Sequence, residues 1–249
     1  MVPGCIAGEY TAEDTMLHLE PLAKWADIEF INDRVIDIDL EGKNIILEKQ
    51  KAKPLSFDLI SLDIGSASRG LYTTPGALKY SLPTRPISAL VERFEKETEI
   101  ISRSKDDTSI NLVVVGGGAA GIELSMSVMG RWKSILGEGS NIRVTLLDSG
   151  SQLLPDETFA NREAVQRLLT ERGISVRQNS IVESIQKDFI YLTDGEILAY
   201  THCLWASGAG AHDLAFTLKD RGLAVSERGW IQVNKYLQST SHPYVFAAG

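Results

Sequence analysis

The sequence predicts an α/β fold with a parallel sheet covered on both faces, and three observations predict it. From residue 110 onward, apolar β-type segments alternate with amphipathic helical ones. The joints between them are short. The first of these strands runs into a glycine cluster that opens a helix, the usual way into a doubly wound sheet.

Three strand-like segments precede this region. Val35–Asp39 (VIDID) alternates in polarity, Glu41-Gly42-Lys43-Asn44 is a turn, and Ile45–Glu48 follows as a hairpin partner. Phe57–Ile64 (FDLISLDI) reads as a buried strand ending at Gly65-Ser66. Pro86 to about Ser102 predicts a helix, with proline at its start and Ile87, Leu90, Val91 and Phe94 on one face. The polar run Ser102–Ser109 is a linker by composition and marks an expected domain boundary. Beyond it come strand Ile110–Val115, helix Ala119 to about Trp132 and strand Ile142–Asp148. Helix Thr158–Arg172, with Phe159, Val165, Leu168 and Leu169 inward, is closed by Gly173 and followed by strand Ile174–Gln178. Short strands at Ile181–Ile185, Phe189–Thr193, Thr201–Ala206 and Tyr244–Ala248 complete the pattern.

Composition removes several function classes. The chain has 249 residues and a formal charge of −8, so nothing drives non-specific binding to nucleic acid. Cys5 and Cys203 form no CxxC pair, and the four histidines are scattered, which argues against a disulfide framework, a zinc site or metal catalysis. The longest apolar stretch, Leu112 to Ile122, is about eleven residues, short of the roughly twenty that a membrane-spanning helix needs.

The chemistry concentrates in Val113-Val114-Val115-Gly116-Gly117-Gly118-Ala119-Ala120-Gly121-Ile122-Glu123. This is G-x-G-x-x-G between a strand and a helix. Gly116 permits the tight turn, Gly118 admits a pyrophosphate to the backbone, and Gly121 lets the helix pack on the sheet, while the helix N-terminus (Ala119, Ala120) faces the phosphates. Asp148 closes the next strand, later than the usual spacing of about 20 residues because the loop Gly137–Asn141 intervenes. Its carboxylate suits a ribose 2′-hydroxyl and repels a 2′-phosphate, and Ser149-Gly150-Ser151 brings no arginine, so NAD(H) is preferred to NADP(H).

These residues resemble the two-dinucleotide-binding flavoproteins of the pyridine-nucleotide oxidoreductase family, and within it type II NADH dehydrogenase-like proteins. GGGAAGIE, LWASG at 204–208 and SHPYVFAAG at 241–249 carry the resemblance. MVPGCIAGEYT, FDLISLDIGS and RPI further resemble the NADH dehydrogenase-like module fused to selenide, water dikinase. The resemblance implies two Rossmann-like FAD/NAD(P)-binding domains, the FAD domain incomplete and interrupted by the NAD domain. Residues 1–104 would be the partial FAD domain, 105–228 the NAD domain and 229–249 the return to the FAD domain. It implies FAD and NAD(H) as cofactors, Glu123 at the nicotinamide–flavin contact, Gly208 beside the nicotinamide, and Val35 and Gly65 on the FAD side.

The family's first GxGxxG would lie before residue 1 and its flavin-contacting Asp after Gly249, so the chain is expected to be an internal segment of a larger flavoprotein. The family's redox-active CxxxxC is not among these residues. The implied activity is hydride transfer from NADH to FAD, with electrons passed to an acceptor such as a quinone, a selenium compound, dioxygen or a protein. The implied location is the cytoplasm or an organellar matrix or stroma, with peripheral membrane contact through a C-terminal region. A non-catalytic NADH-binding or regulatory module is the alternative, and a decayed scaffold binding no dinucleotide a third.

Overall fold

The computed structural model describes residues 1–103 and 109–248. Most of the run expected as a linker, residues 104–108, and Gly249 lie outside the described residues. The helices are α1 (Val2–Ala7), α2 (Leu19–Trp25), α3 (Ala77–Tyr80), α4 (Ile87–Ser102), α5 (Ala119–Leu136), α6 (Phe159–Glu171) and α7 (Asp213–Asp220). The first strands are β1 (Val35–Asp39), β2 (Asn44–Leu47), β3 (Leu55–Ser56), β4 (Ile60–Leu62), β5 (Ala67–Ser68), β6 (Leu82–Pro83), β7 (Ile110–Val115) and β8 (Ile142–Leu147). There follow β9 (Ile174–Arg177), β10 (Val182–Gln186), β11 (Phe189–Leu192), β12 (Ile197–Ala199), β13 (His202–Trp205), β14 (Ala209–Gly210) and β15 (Val245–Ala247).

Two compact units form: Met1–Met16 with Ser68–Ala209, and Leu17–Ala67 with Gly210–Gly249. The expected boundaries at 104/105 and 228/229 divide the chain by cofactor. Compactness divides it elsewhere, because α1 and α4 bury Ile6, Leu90 and Phe94 in the same core as β7 and β8.

The first unit is built on a five-stranded sheet in the order β6-β13-β7-β8-β9, with every pair parallel. Strand periodicity sends alternate residues of β7 to opposite faces. Ile110, Leu112 and Val114 join the helical core with Phe94, Val128 and Trp132. Val113 and Val115 face Ile185, Ile190 and Leu192. The two covers therefore differ in kind. Helices shield one face and the antiparallel sheet β10-β11-β12 the other.

Three of the residues expected to face inward do not. Ile87 is 48% exposed and Phe159 66%, and Leu168 lies at the edge of exposure. Pro86 is the N-cap of α4, its carbonyl accepting the Leu90 N–H at 3.1 Å, so Ile87 sits at the helix's very end, before the face that meets the sheet. Helix α6 packs on β9, the edge strand, and Leu169 alone is fully buried from it. An edge offers too little surface to cover a wide apolar stripe.

In the second unit β1 and β2 form the expected hairpin, extended by β3, and β4 pairs in parallel with β15. The strand expected over Phe57–Ile64 is confined to Ile60–Leu62, the residues that β15 matches through Val245 and Ala247. Helix α7, unforeseen by periodicity, buries Ala215 and Leu218. Beside it Arg221 donates to Ile38 O at 2.9 Å and pairs with Asp37 at 2.5 Å. Among the described residues no helix is long and apolar enough to cross a membrane.

Candidate functional site

The glycine turn after β7 separates into closed and open positions. At Gly116 φ is +121°, and a Cβ there would lie 2.3 Å from the Ala206 carbonyl oxygen. Backbone against backbone has no way to yield, so only glycine suits this turn. The Gly116 N–H donates to Leu147 O at 2.8 Å, tying the turn to β8. A Cβ on Gly121 would stand 1.9 Å from the Gly116 carbonyl oxygen. That close approach seats α5 against the turn. Gly118 is the opposite case: it is exposed, caps α5, and a Cβ would meet nothing within 4 Å.

No side chain caps α5, an 18-residue helix. Its first-turn N–H groups, on Ala119, Ala120 and Gly121, have no carbonyl behind them within the helix, and the helix dipole places partial positive charge there. Ala119 and Ala120 are exposed, so small side chains leave those donors accessible. Open space over Gly118 beside unpaired donors is the arrangement that receives a phosphate.

Asp148 follows β8, with its N–H on Arg177 O and its carbonyl accepting from Ser180, both at 2.8 Å. Its Oδ1 accepts the Gly117 N–H at 3.3 Å, which turns the carboxylate toward the glycine loop and leaves acceptor capacity at Oδ2. A Cβ on Gly117 would press to 2.7 Å from the Asp148 Cβ and 2.5 Å from Leu153 Cδ2. Gly117 therefore sets the approach of Asp148, a role that the G-x-G-x-x-G reading passes over. The signal was present as a third consecutive glycine.

Gly208, after β13, has φ +91° and open space where a Cβ would be. The turn that carries it is tied to a segment far away in sequence. Trp205 Nε1 donates to Arg69 O at 2.8 Å, and Ser207 Oγ donates to the same carbonyl. The Arg69 N–H donates to Gly208 O at 3.0 Å, and its Nη2 to Ala209 O at 3.3 Å. Nothing local in the sequence marks Arg69 for this, because its partners lie more than 130 residues away.

Glu123 is exposed on α5, with Ile122 buried and Met126 packed on the core, as its helical position implies. The first unit thus holds Gly116, Gly118, Ala119, Ala120, Gly121, Glu123, Asp148 and Gly208. Val35 and Gly65 belong to the second. There Gly65 (φ +63°), with nothing within 4 Å of its Cβ position, lines a cavity of about 300 Å³ together with Leu62, His212, Trp230, Ala247 and Ala248. Val35, at the open end of the hairpin, is 38% exposed and is not among the walls of that cavity.

Cys5 and Cys203 are both free and buried. Burial pushes the Cys203 thiol up to about 12, so it stays protonated and unreactive at neutral pH. Among the described residues no group of His, Cys, Asp and Glu could hold a metal ion.

Residues 7–249 match the family model described as pyridine nucleotide-disulphide oxidoreductase. A probable NADH dehydrogenase of Dictyostelium discoideum is 24% identical over 92% of this chain and 55% of its own length. An alternative NAD(P)H-ubiquinone oxidoreductase C1, chloroplastic/mitochondrial, of Arabidopsis thaliana is 25% identical over 98% of the chain and 51% of its own. The chain spans about half the length of these curated relatives. Among solved structures, a water-forming NADH oxidase from Lactobacillus brevis bound to NADH superposes over 100% of the chain and 52% of its own, with a TM-score of 0.79 at 17% identity.

Proposed function

Because the chain belongs to the pyridine nucleotide-disulphide oxidoreductase family, we propose that it serves a flavin-dependent oxidoreductase that takes a hydride from NADH and passes electrons to an acceptor. The observation that carries the proposal is the contrast within the glycine turn: Gly116 and Gly121 are closed by backbone contact while Gly118 stays open over unpaired helix donors. The N–H groups of Ala119, Ala120 and Gly121 bind the NADH pyrophosphate, and Asp148 Oδ2 accepts from the adenine-side ribose. Gly208, without a side chain, lets the nicotinamide lie flat against the backbone. Glu123 borders the same ring.

The cavity beside Gly65 fits a group that approaches backbone closely, since a Cβ there would fill open space rather than meet protein. Gly65 and the hairpin at Val35 would hold FAD, with residues 1–104 and 229–249 on the FAD side and 105–228 on the NADH side. When bound, FAD would supply the redox chemistry of the hydride step. The protein's share is to bind and orient each cofactor. A quinone acceptor accords with the name of the Arabidopsis relative, and would bring the protein to a membrane surface from the cytoplasm or an organellar matrix. The likeness of MVPGCIAGEYT and FDLISLDIGS to the module fused to selenide, water dikinase supports a fusion partner, which reading the flanking frame tests.

The decisive experiment is an anaerobic visible spectrum of the chain supplied with FAD, before and after NADH. A protein-bound flavin band that bleaches with NADH is the expected result. A bound flavin that NADH leaves oxidised overturns the enzyme, and NADH binding without retained flavin favours a binding module instead. Replacing Asp148 by Ala is expected to raise the preference for NADPH over NADH about tenfold, the worth of one charge-assisted hydrogen bond. An unchanged ratio removes Asp148 from cofactor choice.

A further inference from the structure

The parallel sheet of the first unit has a gap in one edge. β6 is two residues long and pairs with β13 only at Leu204 and Trp205. Among the described residues the start of β13, His202-Cys203, therefore has no strand beside it on that edge, and residues of α4 and the end of α3 line the space. The result is a cavity of about 230 Å³. It lies toward the amino ends of the parallel strands, whereas Gly116, Asp148 and Gly208 follow their carboxyl ends. The two locations share a unit and no residue.

We propose that this cavity is a second ligand site, for a small organic carboxylate with a planar apolar body.

Its inner walls are apolar and rigid. Phe94 and Trp132 stack at 5.8 Å with 10° between their planes, and Leu204 and Val128 stand beside them, all buried. Trp132 is held from behind by its Nε1, which donates to Thr98 Oγ1 at 3.1 Å. The rim is charged. Glu97 faces His202, Oε2 to Nε2 at 3.8 Å. Burial holds the His202 imidazole below the ordinary histidine range, against the pull of Glu97. Lys79 and Arg93 supply the cations.

Neither cation pairs with a carboxylate among the described residues. Lys79 lies 4.9 Å over the Tyr80 ring, and the Arg93 guanidinium reaches Ser81 O at a long 3.5 Å. Lys79 and Arg93, both exposed, outnumber Glu97, the one carboxylate residue in the lining, so the charge at this cavity suits an anion although the chain carries −8. Guanidinium geometry favours a carboxylate, bound through two parallel N–H groups. The apolar part of the lining, Phe94, Val128, Trp132 and Leu204, favours an organic body, since it offers the further oxygens of an inorganic phosphate no free donor. The volume is below the roughly 300 Å³ at which drug-sized pockets begin, which excludes a nucleotide.

Benzoate is the probe, titrated calorimetrically into the purified chain, with benzamide and inorganic phosphate as the other arms. Saturable one-site binding of benzoate, with neither of the others matching it, is expected. Arg93→Gln, an exposed change on α4 that thermal melting checks for folding, is expected to weaken benzoate about tenfold or more, as loss of a charged hydrogen bond does. Gly118→Val is expected to leave it unchanged. Three results each overturn the proposal. They are no saturation by about 20 mM, weaker than any affinity of functional interest, equal binding of phosphate, or undiminished affinity in folded R93Q. Loss of benzoate in G118V would reassign the binding to the glycine turn.

Discussion

Valine in place of Gly118 is expected to keep the chain folded, with a melting temperature lowered by no more than about 4 °C for the poorer N-cap, and to weaken NADH binding by about a hundredfold or more. The first half follows from space. Gly118 has φ −76° and ψ 176°, a conformation open to any residue, and its Cβ direction meets nothing within 4 Å. The second half follows from what fills that space. Two branched methyls would stand where the proposed site receives the pyrophosphate on the first-turn donors of α5. Each charge-assisted hydrogen bond lost costs about 1.5–3 kcal/mol, so two suffice for the stated factor. Titrating NADH by fluorescence against a thermal melt of the same sample separates the effects. Parental NADH affinity in the folded variant would remove the phosphate from this turn.

Three residues along the chain the expectation reverses. Gly121→Ala is expected to destabilise the first unit by about 3 kcal/mol, near the upper end for a single substitution. The new methyl would stand 1.9 Å from the Gly116 carbonyl oxygen, and that carbonyl belongs to a turn itself closed against Ala206. Alanine's better helix propensity returns only about 1 kcal/mol, too little to offset the overlap. For a protein of this size the melting temperature is expected to fall by roughly 6–12 °C. A G121A chain that melts with the parent would mean that α5 slides without cost, and the account of the close helix–turn contact would fail.

The paired outcomes mark what was legible beforehand. G-x-G-x-x-G names both glycines, and steric rules that act over a few bonds tell why each is there. What the motif leaves open is which of them faces protein and which faces solvent. The same holds for Asp148. Its place after an apolar strand was readable, but the Gly117 N–H on its Oδ1 was not. Arg69 was invisible, although it makes four of the contacts that hold the Gly208 turn. The cavity under β6 was equally hidden, since it exists because one strand begins late beside another that lies some 120 positions away.

By itself, then, the sequence determined the alternation of strands and helices from Ile110 to Ile174, the hairpin at Val35, the glycine turn and the acid that follows β8. Each of these is written in local periodicity or in the allowed backbone angles of single residues. Tertiary structure alone decided that an antiparallel sheet covers the face of Val113 and Val115, and that Ile87 and Phe159 stay exposed. It also decided that α4 belongs with the strands that follow it, and that Gly118 is the open glycine of its motif. The reason is physical: burial is settled by which distant surface arrives to exclude water, and a run of apolar residues is the same whichever partner comes.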